Sequence, residues 1–485
     1  MKKAVILLLL LALVFTGCTP QVTPEPTQAP ATEAALTEAP APSEAPEVMA
    51  PYAGARKKYT YIWENERDRK WEEDIVAFAD LFLDPYRGHP LLSDRVISSE
   101  AYNDLVLRYS SASLVSFFEP ELKDEFMARV NELILAIPEL TDLEICFALK
   151  ETVALLNDEH STITFSDAKY FPLELFSMMR GDTCEAVIVS APESEKDIIG
   201  CIVTAINGVP LEEIAQRIHP LLPCENEAGY IALTYDYYMT ACPYLRYAGA
   251  LGEEDEAEFS LIDPEGNELS RRLTARAHEE LWEDSVDFET EREDDPVFLR
   301  FSNNDDIAWY KMLMDGEVLY FRVTTCMVDE SFGDVVAAAF AEAAETGKLK
   351  KVIVDFRDNG GGYIDLDGNF LPLANAMRDS GAELYVLIDG FSFSAAVAIP
   401  AMLKRRVEGV TLVGADARQP VRFFFNPITE ELPNFGICCW CANIYGDFWP
   451  DYGDEPLAPD IVVRQTYDDF LNGIDSVLHY ILFAE

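Results

Sequence analysis

The sequence predicts an α/β core in its C-terminal part, with a helical region and a β-rich insert before it. From residue 318 onward, apolar strand-like runs alternate with amphipathic helical stretches, which favours a largely parallel sheet. Between residues 58 and 157, apolar residues recur at spacings of three and four, as they do on one face of a helix. Short β-like runs are characteristic of the stretch from 170 to 275.

The N-terminus has the pattern of a bacterial lipoprotein signal. Two lysines precede an apolar run, Ala4–Phe15, that is too short to span a bilayer. Cys18 directly follows Gly17, which resembles a lipobox and implies that Cys18 is acylated. We therefore expect residues 1–18 to be a lipoprotein signal peptide and the protein to be extracytoplasmic, anchored to the cell membrane through lipid. The alternative is an ordinary cleaved signal with an incidental cysteine.

Residues 19–55 are expected to form a disordered tether. Up to about residue 50 the chain is mostly Pro, Ala, Thr, Glu and Ser, without Lys, Arg or aromatic residues. Such a composition cannot bury apolar surface, so the segment stays extended and solvated. A tether after an acylated cysteine would hold the folded part away from the membrane surface.

The chain is strongly acidic, with a formal net charge of −49. This excess excludes nucleic acid as a partner, because binding to phosphate requires Lys and Arg. The acidic clusters Glu253–Glu256 and Glu291–Asp295 are interpreted as solvated faces that favour solubility outside the cell.

The cysteines do not indicate a metal site. Their one cluster, Cys438-Cys439-Trp440-Cys441, has neither a second cysteine pair nor a nearby histidine. We expect the cysteines other than Cys18 to be free thiols. No metal or cofactor is implied.

Residues 56–165 form the predicted N-terminal helical region. Its helices are expected at Trp71–Leu83, Glu121–Ala136 and Leu143–Leu156. The region ends in the motif Asp158-Glu159-His160-Ser161-Thr162, and the last four residues, 162–165, are β-like.

Residues 166–275 form the predicted insert. Ala186–Ser190 and Gly200–Ala205 are strand-like, and Asn207-Gly208 supplies the positive-φ turn of a hairpin. A helix is expected over Glu212–Ile218. A strand, an Ile-Asn-Gly turn and a helix resemble the end of a PDZ domain, so we expect a PDZ-like insert. An acidic connector, residues 276–305, follows it.

Residues 306–485 form the predicted core. Its strands are expected at Val318–Thr324, Lys351–Phe356, Glu383–Ile388 and Val410–Val413. Its helices are expected at Phe332–Thr346, Leu371–Arg378 and Ser394–Lys404.

Ser394 lies where an apolar strand gives way to an amphipathic helix. A hydroxyl at this junction is at the positive end of the helix dipole, where developing negative charge is favoured. This position is typical of a nucleophile. The alternative is that Ser394 only caps the helix.

Three glycines, Gly360-Gly361-Gly362, follow the strand that ends in Asp355-Phe356-Arg357. Without side chains, their backbone N–H groups can approach a ligand and could form an oxyanion hole. The loop does not bind nucleotide phosphates, because no Gly-Lys-Ser/Thr follows it.

The glycine loop and the Ser394 turn together resemble the tail-specific (C-terminal processing, tricorn-like) protease family. In that family a strand ending in Arg-x-Asn-x-Gly-Gly precedes a Ser-Ala-Ser/Ala-Glu turn, and here Val397 replaces the Glu. Leu457–Val463 and Glu431–Asn434 also match family segments near the C-terminus. The resemblance implies a serine peptidase on a ClpP/crotonase-like layered sheet.

The general base is expected to be His160. Many family members use a Lys about 25 residues after the nucleophile, but no lysine follows Lys404, which is about 15 Å from Ser394 by helical rise. Arg418 stays protonated and is no base. The tricorn-like branch uses a His in an Asp-x-His-Thr motif, which residues 158–162 match with Ser161 in place of the Thr. The alternative is a surface His that caps a helix.

The resemblance also implies the remaining site residues. An acid before the Pro-Asp-Ile strand would orient His160, and Glu455 is preferred over Asp454. Gly361 and Ala395 would form the oxyanion hole. The carboxylates of residues 158 and 159 are expected to raise the pKa of His160 above about 6.5.

The sequence therefore predicts an extracytoplasmic serine endopeptidase that acts on envelope or exported proteins and peptides. Its insert would hold the C-terminal end of a substrate by adding it as a strand. The rival hypothesis is a catalytically inactive ligand- or peptide-binding protein on the same scaffold, because fold does not fix function.

Overall fold

The computed structural model describes residues 47–48, 61–83, 112–113, 120–165, 168–288, 306–442 and 444–483. The predicted signal with Cys18, most of the tether and the greater part of the acidic connector lie outside these ranges. Of the tether, Glu47–Val48 is described and pairs with Tyr61–Ile62. Among the described residues, no helix has the length and apolar character needed to cross a membrane.

The N-terminal region contains the three predicted helices, in the order α1–α3 (Glu66–Leu83, Pro120–Ala136 and Asp142–Ala154). Its strands are β1–β4 (Glu47–Val48, Tyr61–Ile62, Ala112–Ser113 and Thr162–Phe165). Helix α1 begins before the predicted Trp71, because the Asn65 side chain accepts a hydrogen bond from the Asp68 N–H and caps a polar first turn.

The insert is built on a seven-stranded sheet with three short helices. The strands of this part of the chain are β5–β13 (Lys169–Tyr170, Glu174–Arg180, Thr183–Pro192, Ile202–Ile206, Val209–Pro210, Glu256–Ile262, Glu268–Thr274, Arg276–Ala277 and Ser285–Asp287). Strands β5 and β12 form a small sheet of their own, and the other seven form the large sheet. The helices of the insert are α4–α6 (Leu211–Ile218, Glu227–Ile231 and Cys242–Tyr247). The Asn-Gly hairpin is confirmed: Asn207 and Gly208 have φ of 49° and 77° and join β8 to β9.

The core contains a six-stranded sheet in the order β14-β15-β16-β17-β18-β23. The core strands are β14–β23 (Ala308–Leu313, Val318–Val323, Lys351–Asp355, Glu383–Ile388, Val410–Gly414, Arg422–Phe425, Ile428–Glu431, Ile437–Cys441, Ile444–Asp447 and Ile461–Val462). The core helices are α7–α11 (Ser331–Thr346, Leu371–Asp379, Ala395–Arg406, Tyr467–Leu471 and Ser476–Phe483). Strand β14 is antiparallel to β15, and the remaining pairs of the sheet are parallel, as predicted.

The core sheet is covered on both faces, which accounts for its nearly continuous apolar strands. Helices α7, α8 and α9 pack on one face and α11 on the other. The N-terminal helices bury their apolar faces against the hairpin of β20 and β21. The cluster Cys438–Cys441 lies in β21, and every cysteine of the described residues is a free thiol.

Candidate active site

Three loops meet at one edge of the core sheet. Strands β16, β17 and β18 are parallel neighbours, so the loops that follow them leave from the same edge. The first loop carries the glycines, the second carries Ser394, and the third carries Gln419. The Ser392 hydroxyl donates to the Phe356 carbonyl at 3.0 Å and fastens the first two loops together.

Ser394 has a strained backbone immediately before helix α9. Its φ of 56° and ψ of −118° lie in a region that residues with a side chain rarely adopt. The Ser394 side chain makes no capping hydrogen bond to α9, so the alternative of a simple helix cap is wrong. The sharp turn instead directs the hydroxyl away from the helix that it precedes.

The glycine loop is held by a buried charge network beneath it. Arg357 is fully buried and donates to the carboxylates of Asp355 and Asp475 at 2.7 Å each. Asn359 is also buried, and its amide donates to the Val323 carbonyl at 2.9 Å. The motif residues before the glycines thus fix where the loop lies.

Gly361 gives the Ser394 turn the space that it needs. A Cβ at Gly361 would lie 2.7 Å from the Cβ of Ser394 and 3.1 Å from the Ala395 nitrogen. The φ of 102° at Gly361 is also a conformation that favours glycine. The expectation that its N–H stabilises an oxyanion is not supported, because that N–H donates to Asn359 Oδ1 at 2.9 Å. The Ala395 N–H does lie in the first turn of α9, where N–H groups lack partners within the helix.

His160 reaches the same edge from the N-terminal region. Asn157, with a φ of 48°, turns the chain after α3, and the His160 N–H donates to Asp158 Oδ1 at 3.2 Å. Strand β4 then pairs with β21 of the core, which anchors the turn. His160 is only 9% exposed, so the alternative of a surface cap is wrong.

The structure brings the two predicted catalytic side chains into contact. The distance between His160 Nε2 and Ser394 Oγ is 2.9 Å. The imidazole is stacked between Phe393 and Phe423, with ring centroids 4.5 and 5.6 Å away. These rings fix the plane of the imidazole. Ser394 is 9% exposed.

The pKa of His160 is shifted in the direction opposite to the one expected. Burial, with a smaller effect of the nearby Arg418 charge, lowers it from 6.5 to about 3. The carboxyl groups of Asp158 and Glu159 do not offset this lowering of the His160 pKa. Burial raises the pKa of Asp158 to about 7, and Glu159 forms an ion pair with Arg418. The imidazole is therefore neutral at neutral pH, as a general base must be.

The predicted orienting acid, Glu455, is not joined to His160. Glu455 is exposed, and its neighbour Asp454 is paired with Arg422 on the surface. On the far side of the imidazole, Gln419 Nε2 lies 3.4 Å from Nδ1 and Asp158 Oδ1 lies 3.9 Å from it. The acid therefore differs from the one that the resemblance implied.

Sequence analysis missed Gln419 and Glu225. Gln419 Oε1 accepts from the Ser394 N–H at 2.8 Å, and Gln419 Nε2 donates to the Glu225 carboxylate. Glu225 lies in the insert, far along the chain from both catalytic residues. No spacing rule connects these positions.

No protein-family model and no curated protein matches the chain. Solved structures do share its fold. Mature CPAF in complex with lactacystin superposes with a TM-score of 0.54 and 11% identity, over 84% of this chain and 96% of that chain. Another structure of mature CPAF gives a TM-score of 0.51 and 12% identity, over 78% and 94%. These similarities show that the chain has the CPAF fold.

Proposed function

We propose that this chain is a serine peptidase of the tail-specific type, with Ser394 as nucleophile and His160 as general base. The observation that carries the proposal is the 2.9 Å contact between their reactive atoms on a strained strand-to-helix turn. The fold adds support, because CPAF, which shares it, is a protease of the tail-specific family. The absence of a lysine after Lys404 is then explained by the use of a histidine.

The proposed reaction proceeds through an acyl-enzyme. Ser394 Oγ attacks the carbonyl carbon of the scissile peptide bond while His160 Nε2 takes the hydroxyl proton. The negative charge on the carbonyl oxygen would be stabilised by the Ala395 N–H at the N-terminus of α9. His160 then gives its proton to the leaving amine, the C–N bond breaks, and a water molecule hydrolyses the ester in the second half of the reaction.

The proposed substrates are proteins or peptides. The insert would bind a substrate's C-terminal end as an added strand, as PDZ-like domains do. Its sheet and the hairpin between β8 and β9, followed by α4, support this part of the proposal. The acidic composition and the N-terminal lipobox-like motif support a location outside the cytoplasm, at the membrane, with envelope or exported proteins as substrates.

A fluorophosphonate probe tests the proposal, because it is captured covalently only by an activated hydroxyl. The purified protein should be labelled on Ser394, mapped by peptide mass spectrometry, and it should hydrolyse fluorescently labelled casein. Ser394→Ala should abolish both signals. Ser331→Ala, which alters an exposed hydroxyl at the start of α7, serves as the matched control and should retain both. A folded wild-type protein without capture and without hydrolysis would favour the binding-protein alternative.

A further inference from the structure

The Nδ1 side of His160 is where the proposed site lacks a direct acid. When Nε2 acts as the base, Nδ1 carries the proton and needs a negative partner as the imidazolium forms. Asp158 Oδ1 is 3.9 Å away, which is too long for a hydrogen bond. The Gln419 amide nitrogen lies 3.4 Å from Nδ1. A protonated Nδ1 and an amide N–H are both donors, so Gln419 does not accept the Nδ1 proton, and its oxygen accepts instead from the Ser394 N–H.

Behind Gln419 lies a carboxylate that comes from the insert. Gln419 Nε2 donates to Glu225, and the Glu159 backbone lies close enough to the same carboxylate to lower its pKa, against the larger effect of burial. Burial raises the pKa of the Glu159 carboxylate, and the Glu225 backbone in turn acts to lower it. Glu225 thus holds the side chain that fixes the backbone of Ser394, and it lies beside the loop that carries His160.

The segment around Glu225 is fixed against the core rather than free. The Asn226 amide donates to the Ala417 carbonyl at 2.9 Å, and Asn226 Oδ1 accepts from the Gly229 N–H. A side chain at Gly229 would collide with Glu159 and with the Arg418 backbone. The insert therefore reaches the site through a docked segment, residues 225–229.

The ionisation of Glu225 affects the charge of the His160 imidazole. Burial, followed by repulsion from Asp158 and Glu159, raises the pKa of Glu225 well above its usual range. Arg418 is paired with Glu159. Burial raises the pKa of Tyr445 in β22, and the charge of Glu225 also contributes to this rise, as a smaller effect. An ionised Glu225 would therefore favour a positive charge on the imidazole, which is the charge that develops during catalysis.

We infer that Glu225 is the positioning acid of the site: it holds Gln419, which fixes the Ser394 backbone, and its negative charge acts electrostatically on the His160 imidazole behind the same amide. This inference rests on the proposed function and replaces Glu455 in that role. It also means that the insert supplies part of the catalytic unit, so that docking of residues 225–229 is a condition for activity. Glu225 touches neither the substrate nor the reacting atoms.

The test compares fluorophosphonate capture by the full-length protein and four variants. Glu225→Gln should lower the first-order capture rate at saturation by about 10²-fold or more, with the apparent binding constant of the probe unchanged. Gln419→Met should cause a similar loss, and the double variant should be no slower than the slower single variant, because both act on one linkage. Glu455→Gln, which alters an exposed carboxylate, should keep the wild-type rate.

The pH profile separates positioning from mere structural support. In the wild type, the capture rate should rise as the carboxyls of Glu225 and Asp158 ionise, and Glu225→Gln should move the midpoint to lower pH because it removes the repulsion on Asp158. A wild-type rate in Glu225→Gln, or a large loss in Glu455→Gln, would overturn the inference while leaving the proposed function intact. An unchanged midpoint would also overturn it.

If Glu225→Gln does not unfold cooperatively, Gln419→Met, which keeps the carboxylate, decides the question. Failure of the wild type to react would instead count against the proposed function.

Discussion

His160 Nε2 and Ser394 Oγ are 2.9 Å apart, although 234 positions separate the two residues along the chain. The pairing of β4 with β21 and the turn before α9 bring them together. The N-terminal region and the core thus each supply one member of the pair, and the insert between them does not separate them.

The protonation of His160 gives a prediction that can be read by NMR. Because burial lowers its pKa to about 3, we expect the imidazole to stay neutral at pH 5, with the nitrogen shifts of an uncharged ring. The signal is assigned by its loss in His160→Ala. Since the folded pKa lies below the ordinary 6.5, this group stabilises the protein above pH 6.5, and that contribution is lost as the pH falls towards 3. A ring that titrates between pH 6 and 7 would contradict the prediction.

The backbone strain at Ser394 predicts that two inactive variants differ in stability. Both Ser394→Ala and Ser394→Gly should be inactive, but only glycine relieves the φ of 56°. After the entropic cost of glycine in the unfolded chain, we expect Ser394→Gly to be more stable than Ser394→Ala by about 1 kcal/mol. Chemical denaturation measures the difference. Equal stability would show that the turn stores no strain.

Gly361 should tolerate no side chain. In Gly361→Ala the new methyl group would meet the Cβ of Ser394 at 2.7 Å, so either the turn or the glycine loop must move. We expect a loss of about 1–3 kcal/mol in the free energy of unfolding and a strong fall in probe capture. Gly252→Ala is the control, because a Cβ there has nothing within 4 Å. Normal capture by Gly361→Ala would mean that the space beside Ser394 is not needed.

The lipid anchor is a prediction from the sequence alone. In a bacterial host that processes lipoproteins, Cys18→Ser should move the protein from the membrane fraction to the soluble fraction, because the acyl chains would be missing. Cys184→Ser, which removes an exposed thiol, should leave the distribution unchanged. Retention of Cys18→Ser in the membrane fraction would refute lipid anchoring.

The sequence predicted the parts of the molecule whose signals are local. The alternating elements of the core, the Asn207-Gly208 hairpin and the Ser394 turn each follow from a few neighbouring residues, and the structure confirms them. His160 was found through a short motif. The orienting acid was not, because it depends on which distant loop docks behind the imidazole. The sequence places Glu455 close to a family motif, whereas the docking contacts of Asn226 bring Glu225 to Gln419.

The pKa of His160 was mispredicted for a related reason. Sequence proximity suggests that two carboxylates act on the imidazole, but it does not reveal burial. In the structure Asp158 is itself buried, and Glu159 is neutralised by Arg418. Desolvation of the ring therefore outweighs the acids.

The central claim is that His160 activates Ser394, and the rate of fluorophosphonate capture at Ser394 tests it most directly. We expect His160→Ala to lower that rate by about 10³-fold or more at pH 8, with cooperative unfolding retained. His479→Ala, which alters an exposed histidine of α11, should react as the wild type does. If His160→Ala captured the probe at the wild-type rate, the base would lie elsewhere, and the 2.9 Å contact would have no catalytic meaning.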